Sequence, residues 1–235
     1  MSNYPRYAIY FLPPPQSPLA RFGAAMLGYD VYSGEDVAFD EAMVRALPDW
    51  REISRDPRGY GFHATLKAPM ALGPQASEAE LLWASAAFAE TPRRVPRIKP
   101  AVRAIGSFIA LTPAQPSDAL QALAADCVRD FDSFRAPLTD ADRARRKPER
   151  LSERQRDYLE RFGYPYVLDE FRFHMTLTGS LEPARQSEVL PLLQGAFAAT
   201  GLAEIAIDHI AVLRQDAAGA RFKCLAQFEL RDLGA

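Results

Sequence analysis

The sequence predicts an α+β fold built from two copies of one unit, in which a strand is followed by a helix and two further strands. Short apolar segments with strand periodicity alternate with longer segments of helical periodicity. The tetrapeptide His-x-Thr-Leu opens one strand in each half of the chain, as HATL from His63 and HMTL from His174. The order that follows the first tetrapeptide, helix and then hairpin, recurs after the second. We therefore expect a duplicated domain with an insertion between the copies.

Length and composition indicate one globular unit. The chain has 235 residues, of which 48% are hydrophobic and 25% charged, which is enough apolar material for a substantial core. We expect a single bilobal domain over residues 1–235, with lobe 1 at about 1–135 and lobe 2 at about 163–235. A helical insertion is expected at about 139–162, and the N-terminal strand is expected to cross into lobe 2.

The charge balance and the cysteines narrow the function classes. A formal net charge of -2 does not provide the basic surface that drives sequence-independent binding to nucleic acids. The two cysteines form no C-x-x-C pair, which is typical of a protein in a reducing compartment. No apolar segment approaches the roughly 20 residues of a membrane span, and the N-terminus lacks the features of a signal peptide. We expect a cytoplasmic monomer without a membrane partner.

Local patterns predict the elements that lead into the first tetrapeptide. The apolar residues 7–12 form a strand that stops at three prolines, because proline cannot donate a hydrogen bond to a sheet. Apolar spacing predicts helices at 19–27 and 41–47, whereas the polar, glycine-containing stretch 50–60 is predicted to be a loop. The strand of the first tetrapeptide is predicted at 63–70.

The rest of the first copy is predicted to be a helix, a hairpin and a second helix. Ser77 and Glu80 occupy the capping-box positions of a helix over 77–90. Residues 98–111 alternate as two strands that meet near a glycine. The apolar spacing of 117–134 predicts a long amphipathic helix.

The insertion is rich in arginine. Thr139 and Ser152 are N-cap candidates for a pair of short exposed helices. Seven basic residues lie between positions 143 and 156, and we expect them to form a solvated surface, with a substrate-facing lid as the alternative. The second copy is then predicted as a strand, a helix and two strands, at residues 171–181, 183–200, 205–213 and 222–230.

Each tetrapeptide brings an imidazole and a hydroxyl to the same face of its strand, because side chains alternate along a strand. If the copies pack about a pseudo-two-fold axis, His63, Thr65, His174 and Thr176 share one pocket. One neutral imidazole can accept a proton from water while the other, protonated, donates to a departing alkoxide. The hydroxyls can donate to phosphoryl oxygens. We predict these four residues to be a catalytic set that cleaves a phosphodiester.

Four further residues are predicted to bind the substrate. Alternation places Lys67 and Arg172 on the histidine face, where a cation would contact a phosphate; surface charges at strand ends are the alternative. Tyr10 shares a face of the N-terminal strand with Arg6. Tyr166 could stack on a base or sugar, although loop aromatics commonly anchor loops to the core.

Other catalytic motifs are absent from the sequence, which has no G-x-S-x-G, G-x-x-x-x-G-K-[ST], G-x-G-x-x-G or H-E-x-x-H. A metal site at His63 and His174 would need a third ligand, and spacing fixes no carboxylate near them. No metal and no cofactor are therefore predicted. His209 has no threonine two positions later and is predicted to be a structural histidine beside Asp208.

The paired tetrapeptides resemble the two H-x-[ST]-x motifs of the 2H phosphoesterase superfamily, and the resemblance covers nearly the whole chain. The layout, including YPYVLDEFRFHMTLTG, is similar to a bacterial branch associated with phosphonate metabolism. The resemblance implies a LigT-like bilobal fold with two antiparallel sheets around a central cleft and helices outside. It further implies that the N-terminal strand runs beside the motif strands, which would make Tyr10 and Arg6 walls of the pocket. It also implies a metal-independent cyclic phosphodiesterase, acting on a nucleoside 2′,3′-cyclic phosphate or a small cyclic ribose phosphate.

The expected partner is a small cyclic phosphate substrate, with an RNA end as the alternative. Two other functions remain open from the sequence. One is a non-catalytic binder of a phosphorylated metabolite or RNA end, and the other is a metal-dependent hydrolase. The sequence also leaves open which histidine is the acid and whether the reaction runs towards hydrolysis or ligation.

Overall fold

The fold has the predicted α+β class. The computed structural model describes residues 4–234. Its strands, in chain order, are β1 (Arg6–Phe11), β2 (Tyr29–Asp30), β3 (Glu35–Asp36), β4 (Ala64–Ala71), β5 (Arg97–Ile98), β6 (Pro100–Ile105), β7 (Phe108–Pro113), β8 (Met175–Thr176), β9 (Ile205–Ala206), β10 (His209–Gln215) and β11 (Lys223–Glu229). Its helices are α1 (Pro18–Leu27), α2 (Glu41–Ala46), α3 (Trp50–Ile53), α4 (Arg55–Arg58), α5 (Glu78–Glu90), α6 (Asp118–Asp130), α7 (Asp140–Arg145), α8 (Glu153–Phe162) and α9 (Pro183–Ala198).

Seven of the strands form one antiparallel sheet in the order β11-β10-β1-β4-β8-β7-β6. Because side chains alternate along a strand, the sheet has two different faces. On one face Ile9 and Phe11 belong to the larger core, to which α5, α6 and α9 also contribute. On the other face Ala8 and Tyr10 join a smaller cluster that contains Leu213. The polar pocket lies on this second face, since Tyr10 lines it.

The two tetrapeptide strands are neighbours at the centre of the sheet, as the duplication predicts. β4 and β8 pair antiparallel with Ala64 opposite Met175. These are the second residues of the two tetrapeptides, so a pseudo-two-fold axis passes between them. The two strand sets that the family resemblance describes as separate sheets are joined at this pair into one.

Strand pairing crosses between the two copies. The hairpin of β6 and β7 comes from the first half of the chain but pairs with β8 of the second half. The hairpin of β10 and β11 comes from the second half but pairs with β1, which pairs in turn with β4. Each motif strand is therefore supported by the hairpin of the other copy, and the two copies are interlocked.

Several helix ends follow the sequence signals. The Ser77 hydroxyl accepts from the Glu80 N–H, and the Glu80 carboxylate accepts from the Ser77 N–H, which is the predicted capping box. Thr139 and Ser152 cap α7 and α8, the two predicted short helices. Among the helices of the described residues, none reaches the length and hydropathy required to span a membrane.

The segment 50–60, predicted to be a loop, contains the short helices α3 and α4. The reason is tertiary packing, because Trp50 is fully buried and its indole N–H donates to the Met26 carbonyl at 2.9 Å. The polar residues around Trp50 suggested an exposed loop, whereas one buried aromatic side chain anchors the segment against α1.

The second motif strand is much shorter than predicted. The prediction covered 171–181, but only Met175–Thr176 is regular strand. Leu177 and Thr178 both donate to the Ile109 carbonyl, which interrupts the even spacing of a regular ladder. The predicted strand 205–213 is likewise divided, since β9 pairs with β5 and only β10 enters the main sheet.

Candidate active site

The register of β4 and β8 brings the four tetrapeptide residues together. With the apolar second residues opposite one another, His63 lies opposite Thr176 and Thr65 lies opposite His174. Those apolar residues belong to the larger core, so the four polar side chains lie on the other face. The two histidines are diagonal neighbours, for which the separation across a strand pair is about 7–8 Å.

Each imidazole is oriented by the backbone carbonyl two residues earlier. His63 Nδ1 is 2.8 Å from the Gly61 oxygen, and His174 Nδ1 is 2.7 Å from the Arg172 oxygen. Because a carbonyl oxygen can only accept, Nδ1 carries the proton in both neutral rings. Nε2 is therefore the nitrogen left for proton transfer. Gly61 has a φ of 74°, and a Cβ there would lie 2.7 Å from Val31, so this position requires glycine.

His63 is enclosed by aromatic rings. The Tyr10 ring stacks on it with centroids 3.9 Å apart and an interplanar angle of 23°, and the Tyr60 ring lies at 5.9 Å. The pKa of His63 is lowered to about 4, because burial and, to a smaller extent, the charge of His174 outweigh the hydrogen bond with the Gly61 carbonyl, which raises it. His63 is therefore neutral at pH 7 and able to accept a proton.

His174 has more open surroundings. Its ring lies 5.6 Å from that of Phe108 at an angle of 51°, without close stacking. Burial also lowers the pKa of His174, and the hydrogen bond with the Arg172 carbonyl opposes that shift. Since the charge of His174 contributes to the pKa of His63, the two rings are within electrostatic reach of one another.

Two adjoining cavities lie over the tetrapeptides. A cavity of about 270 Å³ contains His63 and Thr176, and a cavity of about 430 Å³ contains His174. Thr65 and Tyr164 line both of them. The Thr65 hydroxyl is 3.3 Å from His63 Nε2 and marks the point where the cavities meet. The two cavities thus form one divided site.

Three of the four predicted binding residues line this site. Tyr10 lines the smaller cavity, as does Arg6, and Arg172 and Tyr166 line the larger one. Tyr10 is fully buried, and burial raises its pKa well above the usual value, so its hydroxyl remains a donor. Tyr166 is 46% exposed, and its ring meets that of Tyr164 edge to face at 5.6 Å.

A comparison with protein families adds to this geometry. The family described as "Protein of unknown function (DUF1045)" matches residues 65–223. This chain belongs to that family. The matched region includes Thr65, His174 and Thr176, and it begins two residues after His63.

Two curated relatives match most of this DUF1045 chain. Ribose 1,5-bisphosphate phosphokinase PhnN of Janthinobacterium sp. (strain Marseille) is 37% identical over 223 residues, which are 92% of this chain and 49% of that protein. The protein of the same name from Laribacter hongkongensis (strain HLHK9) is 32% identical over 222 residues, 93% of this chain and 50% of that protein. The chain therefore spans about half the length of the curated relatives it matches.

Among solved structures, Escherichia coli LigT complexed with NADP+ aligns over 98% of this DUF1045 chain and 99% of LigT. The TM-score is 0.43 and the sequence identity is 12%. A likeness of that degree carries no conclusion about activity.

Lys67 is the predicted binding residue that does not reach the site. Its side chain is only 2% exposed, and Nζ donates to the Val128 carbonyl at 3.1 Å and to the Asp132 carboxylate at 2.5 Å. The register between β1 and β4 shifts on both sides of the pair formed by Ile9 and Lys67. This β-bulge breaks the alternation and turns Lys67 to the helix-covered face that Ile9 shares. The prediction is wrong because it assumed unbroken alternation.

The insertion contributes residues that sequence reasoning did not assign to the site. Arg146, just after α7, lines the smaller cavity, and its guanidinium lies 4.7 Å from the centre of the Tyr164 ring. Gln155 of α8 lines the larger cavity. Outward residues such as Arg143, which pairs with Glu160, form the solvated surface that the sequence predicts. Arg146 does not belong to that surface, because it lines the cavity. The sequence feature that could have identified Arg146 was the run of basic residues in the insertion.

Candidate metal ligands and the third histidine do not add to this site. Among residues 4–234, no group of three or more His, Cys, Asp or Glu side chains is arranged to hold a metal ion. His209 Nδ1 is 2.7 Å from the Asp208 carboxylate, as predicted, and it lines neither cavity of the site.

Proposed function

We propose that this chain is a phosphoesterase that opens a cyclic phosphodiester by acid–base catalysis with two histidines and without a metal. One observation carries the proposal. Two imidazoles, each held at Nδ1 by a carbonyl, lie diagonally across β4 and β8 beside two threonine hydroxyls. A pair arranged in this way can act on the attacking and the leaving oxygen of one phosphorus atom.

His63 is the general base in this proposal. Its pKa of about 4 leaves Nε2 unprotonated at neutral pH. Nε2 takes a proton from a water molecule while the water oxygen forms a bond to phosphorus. The resulting imidazolium keeps its Nδ1–H hydrogen bond to the Gly61 carbonyl, which stabilises the positive charge.

His174 is the general acid. Burial lowers its pKa, the hydrogen bond with the Arg172 carbonyl opposes that shift, and the negative charge of a bound phosphodiester favours its protonated form. Nε2–H gives its proton to the sugar oxygen as the bond between that oxygen and phosphorus breaks. The product is a phosphomonoester with a free hydroxyl, and proton exchange with solvent returns both rings to their starting states.

The hydroxyl groups stabilise the developing charge. Thr65 and Thr176 donate to the non-bridging oxygens of the phosphoryl group. Tyr10 holds the His63 ring in place by stacking at 3.9 Å and stays uncharged because it is buried. Arg172, which lines the cavity of His174, adds a positive charge near the phosphate.

A small cyclic ribose phosphate is the favoured substrate. The cavities have volumes of about 270 and 430 Å³, which suit a small molecule. Both curated relatives are named ribose 1,5-bisphosphate phosphokinase, and opening a cyclic ribose phosphate gives a ribose phosphate ester, the class of compound in that name. This chain has no G-x-x-x-x-G-K-[ST] loop, so a kinase step is not assigned to it. Its place would be in phosphonate breakdown, with a nucleoside 2′,3′-cyclic phosphate as the other candidate substrate.

Turnover of cyclic phosphates tests the proposal. Adenosine 2′,3′-cyclic phosphate and ribose cyclic phosphates are incubated with the purified chain, with and without EDTA, and the products are followed by phosphorus NMR. We expect one phosphomonoester product, a rate that EDTA does not change, and loss of turnover in His63→Ala and His174→Ala. EDTA inhibition that a divalent metal reverses would favour a metal-dependent hydrolase instead. Tight product binding without turnover would favour a non-catalytic binder of phosphorylated metabolites or RNA ends.

A further inference from the structure

A cluster of arginines lies at one end of the smaller cavity. Arg6 from the start of β1, with Arg145 and Arg146 from the end of α7, lines this cavity together with His63. The same three arginines continue into a narrow adjoining groove. None of these three arginines lines the cavity of His174, so this cluster lies on one side of the site, whereas Arg172 lies on the other.

Two of these cations, Arg6 and Arg146, have neutral partners. Arg6 Nε donates to the side-chain oxygen of Gln215 at 2.9 Å, and its guanidinium lies 5.2 Å from the centre of the Tyr4 ring. Arg146 lies over the Tyr164 ring. Within the described part of the chain, neither guanidinium forms an ion pair with a carboxylate.

Other arginines of the same helical segment are neutralised by carboxylates. Arg143 pairs with Asp140 at 3.0 Å and with Glu160 at 2.8 Å, and Arg145 pairs with Asp142 at 2.9 Å. Acidic residues are therefore abundant around α7, and Asp142 lines the adjoining groove together with the three arginines. Among the described residues Arg146 nevertheless forms no ion pair and lies against an aromatic ring in the cavity wall.

Arg6 and Arg146 repel one another. Burial lowers the pKa of Arg146, and the charges of Arg145 and Arg6 lower it further, whereas Tyr164 and Tyr60 oppose these effects. Like charges that face one another in a partly desolvated cavity cost free energy. An anion between them would remove that cost.

The arginines are displaced from the acid–base pair along the sheet. Tyr10 lies opposite Thr65, and Arg6 is four residues earlier on β1, which corresponds to about 13 Å of strand. The side chain of Arg6 spans part of this distance, since it lines the cavity that contains His63. An anion held by Arg6 and Arg146 would therefore lie beside the scissile phosphate but separate from it.

We propose that Arg6 and Arg146 bind a second phosphate of the substrate, a phosphomonoester on the same small sugar that carries the cyclic phosphodiester. This inference rests on the proposed function and names its substrate class. A guanidinium matches phosphate oxygens through two parallel hydrogen bonds, and a dianionic monoester neutralises both arginines. The Tyr164 ring under Arg146 restricts the plane of the guanidinium and so favours that geometry.

Matched substrate pairs test the inference. The first pair is ribose 1,2-cyclic phosphate with and without a 5-phosphate, and the second is adenosine 2′,3′-cyclic phosphate with and without a 5′-phosphate. We expect the additional phosphate to raise kcat/KM at least about tenfold, mainly through KM, because charge-assisted hydrogen bonds are strong. A preference confined to the ribose pair indicates a sugar phosphate, and one confined to the adenosine pair indicates a nucleotide; either supports a second phosphate site.

Variants of the two arginines test whether the preference for the additional phosphate depends on them. In Arg6→Gln and Arg146→Gln the ratio of the two kcat/KM values is expected to fall towards one, and Arg146→Lys is expected to keep part of the preference. Arg143→Gln, which removes an outward arginine of the same helix, is the matched control and is expected to keep the wild-type ratio. Calorimetric titration of ribose 5-phosphate provides a readout that needs no turnover, and Arg146→Gln is expected to weaken this binding about tenfold.

The outcomes separate this inference from the proposed function. Equal kcat/KM within both pairs, together with inactivity of His63→Ala on every substrate, overturns the second phosphate site and leaves the phosphodiesterase intact. Binding of ribose 5-phosphate that depends on Arg146, without turnover of any substrate, supports the anion site and rejects the phosphodiesterase. Absence of both turnover and ribose 5-phosphate binding rejects both.

Discussion

The two tetrapeptide strands carry the same His-x-Thr-Leu pattern in different surroundings. β4 has eight residues and pairs along its length with β1, whereas β8 has only two. His63 lies face to face with Tyr10 at 3.9 Å, while His174 meets Phe108 at 5.6 Å and 51°. The comparison teaches that a duplicated motif can supply one strongly desolvated imidazole and one in a more ordinary environment.

The features that the two strands share help to identify what distinguishes their histidines. Both histidines use the same type of partner at Nδ1, a carbonyl two residues earlier, at nearly equal distances of 2.8 and 2.7 Å. Burial is the largest cause that lowers the pKa of each histidine, and the charge of His174 lowers the pKa of His63 in addition. Acid and base roles then follow from the surroundings of each ring.

Removal of either imidazole is expected to have the largest effect. His63→Ala and His174→Ala should each lower kcat at least about 100-fold, because each removes one proton-transfer group. Thermal unfolding should stay near that of the wild type, since neither histidine belongs to a hydrophobic core cluster. Steady-state kinetics with a cyclic phosphate measure the effect, and near-normal turnover of either variant would reject the pairing of the two strands in catalysis.

The pH profile of kcat/KM tests the difference between the two histidines. His63 must be neutral, so activity should fall as the pH drops through about 4. His174 must be protonated, so activity should fall as the pH rises through its pKa, which is lowered from 6.5. We expect a maximum between these values and at least about a tenfold decrease by pH 8. A maximum above pH 7 would contradict the assigned roles.

The threonines should contribute more modestly. Thr65→Val and Thr176→Val each remove one donor to a phosphoryl oxygen at nearly constant volume, and each should lower kcat/KM about tenfold. Because Thr65 also contacts His63 Nε2, only Thr65→Val should change the pKa of His63 as measured by NMR. An equal pKa change in Thr176→Val would show that the two strands are more alike than the structure indicates.

The smallest effects are expected for the two flanking cations, Lys67 and Arg172. Their substitutions should differ clearly, since one affects stability and the other affects activity. Lys67→Met should lower the free energy of unfolding by about 2 kcal/mol, because it removes two hydrogen bonds of a buried ammonium, and it should leave kcat/KM near the wild-type value. Arg172→Gln should do the reverse, with a few-fold loss of kcat/KM and an unchanged unfolding midpoint. Denaturant titration and kinetics on both variants check this. Loss of activity without loss of stability in Lys67→Met would place Lys67 back in the site.

Local signals in the sequence predicted the parts of the fold that depend on neighbouring residues. The capping box at Ser77 and the caps at Thr139 and Ser152 form as predicted, because each involves residues three positions apart. The exchange of hairpins between the copies was not predictable, since it depends on pairing between distant segments. The same is true of Trp50, whose polar neighbours concealed its place in the core.

The residues of the candidate site also divide into those that local sequence patterns predict and those whose place depends on contacts with distant segments. The repeated tetrapeptide identified His63 and His174, and their common face follows from alternation and one register. Lys67 was misplaced because the β-bulge arises from the pairing of β4 with β1, which the sequence of β4 alone does not contain. Arg146 was missed because its place depends on how the insertion packs over the sheet.

The most direct measurement is a crystal structure of the chain with inorganic phosphate or vanadate bound. The central claim is that both imidazoles act on one phosphorus atom. The expected result is one anion with oxygens within hydrogen-bond distance of Nε2 of both His63 and His174. An anion that contacts only one of the two rings, or binds elsewhere while the site stays open, would contradict the claim.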